Sequence, residues 1–276
     1  MIKDITIGQY FPLNSFLHKL DPRIKLFFTT VFIVMSIVAN NFVSLGLCFG
    51  ITILTVLISK VPLKTVLKSL KPIVLVIFIT SLLQIFYNTG GVKLFWRITS
   101  GGVLTALYMA LRIILLITMS TMLTYTTSPT ALTTGLDRIF VPLRKIGINF
   151  HVVTMIMTIA LRFIPTLIDD VDKIMNAQKS RGANFEKGNI VERAKALIPL
   201  FIPLMFNSIK HAYELSNAMI CRCYNGGEGK TNMKALKFAG RDYLVLLLIL
   251  GFIAGIILLN IYCGEYNAEY TFNLAV

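Results

Sequence analysis

Arg181 and Arg222 are embedded in two copies of one short phrase. Asn176, Ala177, Arg181 and Asn184 return in register as Asn217, Ala218, Arg222 and Asn225, and a small residue, Ser180 or Cys221, precedes each arginine. Phe-Ile-Pro stands upstream of both copies, with Pro165 and Pro203 lying 16 and 19 positions before their arginines. The two arms therefore differ by roughly one helical turn. A guanidinium offers a planar fork of donors that suits carboxylates in a partner groove. The flanking residues Ala177, Ser180, Gly182, Ala218 and Cys221 are small enough for close approach, and Cys223 completes a second small-Arg-small triplet. A helix C-terminal dipole would account for one solvated arginine, but not for matching residues around both. Two matched prongs imply two matched sockets, so the expected partner is paired.

Other groupings carry less. Asp169, Asp170 and Asp172 could hold magnesium, as aspartate pairs do on prenyl-transfer helices. They form a single cluster without a second acidic motif, which favours a solvated helical turn. Gly227-Glu228-Gly229-Lys230-Thr231 invites a phosphate-loop reading, yet Tyr224 stands where the pattern needs glycine and a helix precedes it where a strand is needed. A helix-stopping glycine loop explains it better, and the chain is expected to have no ATPase site of its own. Cys221 and Cys223 have no second pair or histidine at ligand spacing, so neither a metal nor a cofactor is expected. Arg112 opens a long apolar stretch, where a charge is expensive and either functional or satisfied by a neighbouring helix.

The elements that must position these groups belong to a membrane. Of the 276 residues, 55% are hydrophobic and only 14% charged, against about 25% charged in soluble domains; mean hydropathy is +0.74. Five spans are expected, over residues 25–39, 42–59, 72–87, 103–125 and 243–262, with a hinge at Asn40-Asn41. Backbone groups in lipid must pair within the segment, so the spans are helices. The first 25 residues lack an apolar core and a cleavage site, and no signal peptide is expected. The net charge of +14 is distributed as topology rather than as a nucleic-acid surface. Lys60, Lys64, Lys68 and Lys71 line one connection and Lys230, Lys234, Lys237 and Arg241 another, while the tail carries Glu265 and Glu269. Apart from Lys93 and Arg97, beside the interfacial pair Phe95-Trp96, this puts the N-terminus in the cytoplasm and the C-terminus outside.

Residues 126–242 hold 16 of the 27 basic and 9 of the 13 acidic residues while keeping helical periodicity. A short amphipathic segment between Pro129 and Pro142 leads into two long runs, His151 to Ser180 and Ile190 to Tyr224. Each run is greasy in its first half and amphipathic in its second, with proline at the change. The expected seams are Ile168, Val171, Met175 and Gln178 in the first run, and Met205, Ile209, Ala212, Ser216 and Met219 in the second. The fold class is an all-α polytopic membrane protein with about five transmembrane helices plus cytoplasmic amphipathic helices. It divides into residues 1–125, a cytoplasmic region 126–240, and residues 241–276 with the last span.

With these motifs in place, the chain resembles the transmembrane T components of energy-coupling factor transporters, which include the cobalt-permease CbiQ type. Leu20-Asp21-Pro22-Arg23-Ile24-Lys25-Leu26 is similar to the family's entry to its first span, and Thr126-Thr127-Ser128-Pro129 and Leu143-Arg144-Lys145-Ile146-Gly147 continue the likeness. The family's Ala-Arg-Gly motifs stand here as Ser180-Arg181-Gly182 and Cys221-Arg222-Cys223. Cys223 lacks glycine's backbone freedom. The resemblance implies a non-catalytic scaffold in the cell membrane. It would join two cytosolic ABC-type ATPase subunits to a membrane substrate-binding S component, importing a vitamin or a transition-metal ion. Each arginine would dock in one ATPase, with Asn176, Ala177, Asn217, Ala218, Pro165 and Pro203 supporting the coupling helices. Two competing readings are a membrane enzyme acting on isoprenoid or phospholipid through Asp169, Asp170 and Asp172, and the permease half of a conventional ABC importer.

Overall fold

The computed structural model describes residues 10–39, 41–87, 93–95, 98–141, 150–183, 185, 189–224 and 238–263. Among them the helices are α1 (Pro22–Val38), α2 (Phe42–Ser59), α3 (Leu63–Leu70), α4 (Val74–Tyr87), α5 (Ser100–Thr126), α6 (Pro129–Ile139), α7 (Phe150–Ser180), α8 (Ile190–Cys221) and α9 (Gly240–Cys263). A two-stranded antiparallel pair, Lys93–Phe95 with Ile98–Thr99, sits in the short connection before α5 and is the one addition to the all-helical expectation among the described residues. Asn40, Trp96, Arg97, residues 142–149, Asn184, residues 225–237 and the tail from 264 lie outside the described residues. With them lie half of the expected hinge, the Leu143–Gly147 likeness, the glycine loop and much of the charge argument.

Five helices are long and apolar enough to cross a bilayer by length and composition: Phe42–Ser59, Leu63–Tyr87, Ser100–Thr126, Val152–Ser180 and Gly240–Tyr262. The number is the one expected, but the membership differs. α1 has 17 residues, at the lower limit for a span. α7 enters because its helix runs unbroken through Pro165, joining the greasy half to the amphipathic half. The third expected span also begins earlier than Pro72, since α3 leads through a 3-10 turn at Lys71–Ile73 straight into α4.

The described residues fall into two compact units. The first comprises residues 10–135 and 238–263. Its helix ends are set by local chemistry. Asp21 caps α1, its carboxylate accepting the Arg23 amide at 2.9 Å, and Pro22 occupies the first turn, where no amide is needed. α2 stops at Lys60, which takes the left-handed conformation (φ 58°), and Pro62 prevents resumption. Thr99 caps α5 by accepting the Gly102 amide at 3.3 Å. Hydroxyls within the apolar helices are satisfied locally: Thr29, Thr52, Thr118 and Thr126 each donate to the carbonyl four residues earlier.

The core of this unit gathers Phe32, Leu45, Cys48, Tyr108, Leu115, Met119, Phe252 and Ile256 around α5. Phe32 and Phe252 stack with centroids 5.7 Å apart. Outward faces of α4 and α9 are apolar and exposed, among them Leu75, Phe78, Leu247 and Leu250, as a lipid-facing surface requires. A cavity of about 470 Å³, lined by Ile24, Phe28, Ile51, Met122 and Phe252 among others, opens between α1, α2, α5 and α9. Arg112 donates to the Ala39 carbonyl at the C-terminal end of α1 and, at 2.9 Å, to the Tyr108 hydroxyl, with its guanidinium 4.8 Å from the Tyr108 ring centroid. Its charge therefore meets the negative end of a helix dipole.

The second unit contains α7 and α8. They lie antiparallel: the Gln178 side-chain amide donates to the Pro199 carbonyl at 3.3 Å, His211 meets Asp170 at 3.2 Å, and the Tyr224 hydroxyl reaches the Met155 sulfur at 2.9 Å. Asn189 and Glu192 form a capping box that starts α8, which then passes through Pro199 and Pro203 without interruption.

Candidate functional site

Both arginines close their helices in the same way. At the end of α7 the Gly182 amide donates to the Lys179 carbonyl at 3.0 Å and the Ala183 amide to Gln178 at 3.0 Å, with Gly182 at φ 90°. At the end of α8 the Cys223 amide donates to Ile220 at 2.9 Å and the Tyr224 amide to Met219 at 3.1 Å, with Cys223 at φ 56°. Each is a Schellman closure, in which the residue after the arginine turns left-handed and spends the last free carbonyls on the following amides. The duplicated phrase is thus a duplicated helix stop. Glycine enters that conformation freely, whereas cysteine does so at a cost. Cys223 nevertheless adopts it, so the missing glycine changes the energy of the closure and not its shape.

Ser180, Arg181, Gly182, Cys221, Arg222 and Cys223 are all exposed. Among the described residues neither guanidinium has a carboxylate within ion-pair distance. Asn176, Ala177, Asn217 and Ala218 are likewise exposed one turn earlier, and Ser180 donates back to the Asn176 carbonyl at 3.1 Å. Pro165 is exposed and Pro203 half-buried, both inside their helices. Because the helices run antiparallel, the structure does not bring the two arginines together. Arg181 lies toward one end of the pair and Arg222 toward the other, each 11 residues beyond the Asp170–His211 contact in opposite directions, a separation along the axis of about 33 Å.

The seam of α7 runs where the periodicity places it, with Ile168, Val171, Met175 and Gln178 all half-buried. That of α8 does not. Met205 and Ile209 are 44% and 53% exposed, and Ala212 and Ser216 are exposed as well. The half-buried row is Leu204, Ser208, His211, Leu215 and Met219. The helix is turned by one residue, about 100°, so that the leucines and the polar His211 face α7. Periodicity scored the adaptable residues and passed over the histidine.

Asp169 is exposed and Asp172 half-buried, but Asp170 is only 9% exposed. Its carboxylate is taken up by His211 at 3.2 Å and lies 3.9 Å from the Lys173 ammonium. Among the described residues no group of three His, Cys, Asp or Glu is arranged to hold a metal ion. His211 was missed from sequence; its position three residues before Glu214, on the leucine row, was the available signal. Asp242 was missed too. Its Oδ1 accepts the Asp21 amide at 3.1 Å and its Oδ2 the Ala239 amide at 2.7 Å, so one buried carboxylate ties the starts of α1 and α9.

Comparison with known proteins agrees with this architecture. The model of the family described as cobalt transport protein, CbiQ, matches residues 13–233. The energy-coupling factor transporter transmembrane protein EcfT of Clostridium kluyveri is 45% identical over 271 residues, covering 96% of this chain and all of the relative. The EcfT proteins of Brevibacillus brevis and Bacillus subtilis are 46% and 38% identical, each over 89% of this chain and 94% of the relative. The chain belongs to the CbiQ family and is a transmembrane T component of an energy-coupling factor transporter.

Proposed function

We propose that this chain couples two cytosolic ATP-binding subunits to a membrane S component, so that closing of the ATPase pair drives uptake of a vitamin or a transition-metal ion. Residues 1–125 and 241–276 form the membrane part, with the N-terminus cytoplasmic and the C-terminus outside, and residues 126–240 carry the coupling arms. Ser180, Arg181, Gly182, Cys221, Arg222 and Cys223 dock the ATPases. Hydrolysis belongs to those subunits.

The observation that carries this reading is the pair of identical helix closures, each presenting an exposed arginine at one end of an antiparallel arm pair. A separation of about 33 Å suits two sockets on two subunits better than one composite pocket. The α8 face carrying Phe201, Ile202, Met205, Phe206 and Ile209 is exposed and apolar, which supports contact with lipid or with the S component. A tagged chain purified from its host membranes should bring down the ATPases and a small membrane protein. Arg181→Glu or Arg222→Glu should lose the ATPases and keep the membrane protein. Retention of the full ATPase complement by both variants would refute the docking role.

A further inference from the structure

The repeat that places Arg222 at the position of Arg181 also places His211 at the position of Asp170, 41 residues apart in both cases. These two equivalent residues touch. Each lies 11 positions before its own arginine, or about 16 Å along its helix. The contact therefore sits on the local two-fold relation between the arms and divides them into equal levers. It is the only ion pair joining α7 to α8 among the described residues.

The charged groups facing the imidazole are Asp170 and Lys173 from α7 and Glu214 from α8. Nε2 lies 3.2 Å from Asp170, and Nδ1 lies 3.7 Å from Glu214. The Lys173 ammonium leans on the other Asp170 oxygen at 3.9 Å, and the Phe163 ring stands 6.2 Å away, centroid to centroid. A carboxylate therefore stands near each nitrogen of the ring, one from the opposite helix and one from its own.

We infer that Asp170 and His211 are positioning residues for coupling: a clasp that serves as the fulcrum of the two arms. This rests on the reading that the arm ends dock ATPases. Breaking this contact loosens the crossing and lets one arginine end move without the other.

Two measurements test it. In a chain whose native cysteines are replaced, spin labels at Lys179→Cys and Ile220→Cys, again equivalent positions, report the spread of distances between the arm ends without any partner present. The expected spread is narrow in the parent chain, broader with Asp170→Asn or His211→Ala, and narrow again when the two residues are exchanged as Asp170→His with His211→Asp. Separately, MgATP hydrolysis by the assembled complex should fall about two- to fivefold with Asp170→Asn, the size expected of a partly exposed pair, and recover with the exchanged pair. Distances indifferent to Asp170→Asn and to His211→Ala would overturn the clasp, even with docking intact. Distances that respond while hydrolysis stays constant would overturn its role in coupling. Failure of the docking reading itself would appear instead in the charge-reversed arginines.

Discussion

Asp170 on α7 and His211 on α8 hold the same place in a duplicated sequence, and their side chains meet at 3.2 Å. A repeat folded into an antiparallel hairpin brings equivalent residues together only near its local two-fold relation, and every pair farther along is carried apart. Arg181 and Arg222 are such a pair. The same duplication thus yields one shared contact in the middle and two separate arginines at the ends.

Cys223→Gly should stabilise the closure of α8. The residue holds φ 56°, which costs a side-chain-bearing residue about 1–2 kcal/mol. Thermal unfolding in detergent should shift upward by that amount with ATPase binding retained. An unchanged midpoint would mean that the left-handed turn is not strained.

Arg112→Leu should destabilise the membrane unit by about 1.5–3 kcal/mol, the usual loss for a hydrogen bond to a charged group. It removes the donor from the Ala39 carbonyl and from Tyr108. Denaturation of the purified chain measures this directly. A functional role without a structural one would leave the midpoint in place while abolishing transport.

Asp242→Ala should free the starts of α1 and α9 together, because one buried carboxylate accepts both the Asp21 and Ala239 amides. Amide exchange should accelerate at both helix starts. Acceleration at α9 alone would show that the link to α1 adds nothing.

His18, before α1, bonds to Phe11 and Ser15. Burial holds its pKa below the usual 6.5, opposed by the Phe11 carbonyl and reinforced by nearby Lys25. The folded segment binds fewer protons than the unfolded one, so its stability is complete above the unfolded value and declines as pH falls below it. Protection of residues 10–20 from amide exchange should drop between about pH 7 and pH 5, and His18→Gln should remove that drop. Constant protection would contradict the assignment.

The membrane helices were legible because apolar runs and flanking lysines are one-dimensional signals. The arginine ends were legible because the repeat is. What escaped is what depends on helix rotation and on contacts across the chain. The face α8 turns inward is decided by His211 and its leucine row rather than by the most uniform periodicity. Asp242 lies 221 residues from the amide it accepts, a separation no local pattern encodes. The reach of α7 was legible, since the run from His151 to Ser180 is one helix with Pro165 inside it.

The docking claim is tested most directly with thiols the chain already carries. Cys221 and Cys223 flank Arg222 and are exposed, while Cys48 is buried. With Cys263 replaced by serine, a membrane-impermeant maleimide should label the pair in inside-out vesicles stripped of ATPases, and re-addition of the ATPases should protect it. Labelling only from the outer face, or labelling unaffected by the ATPases, would contradict the account.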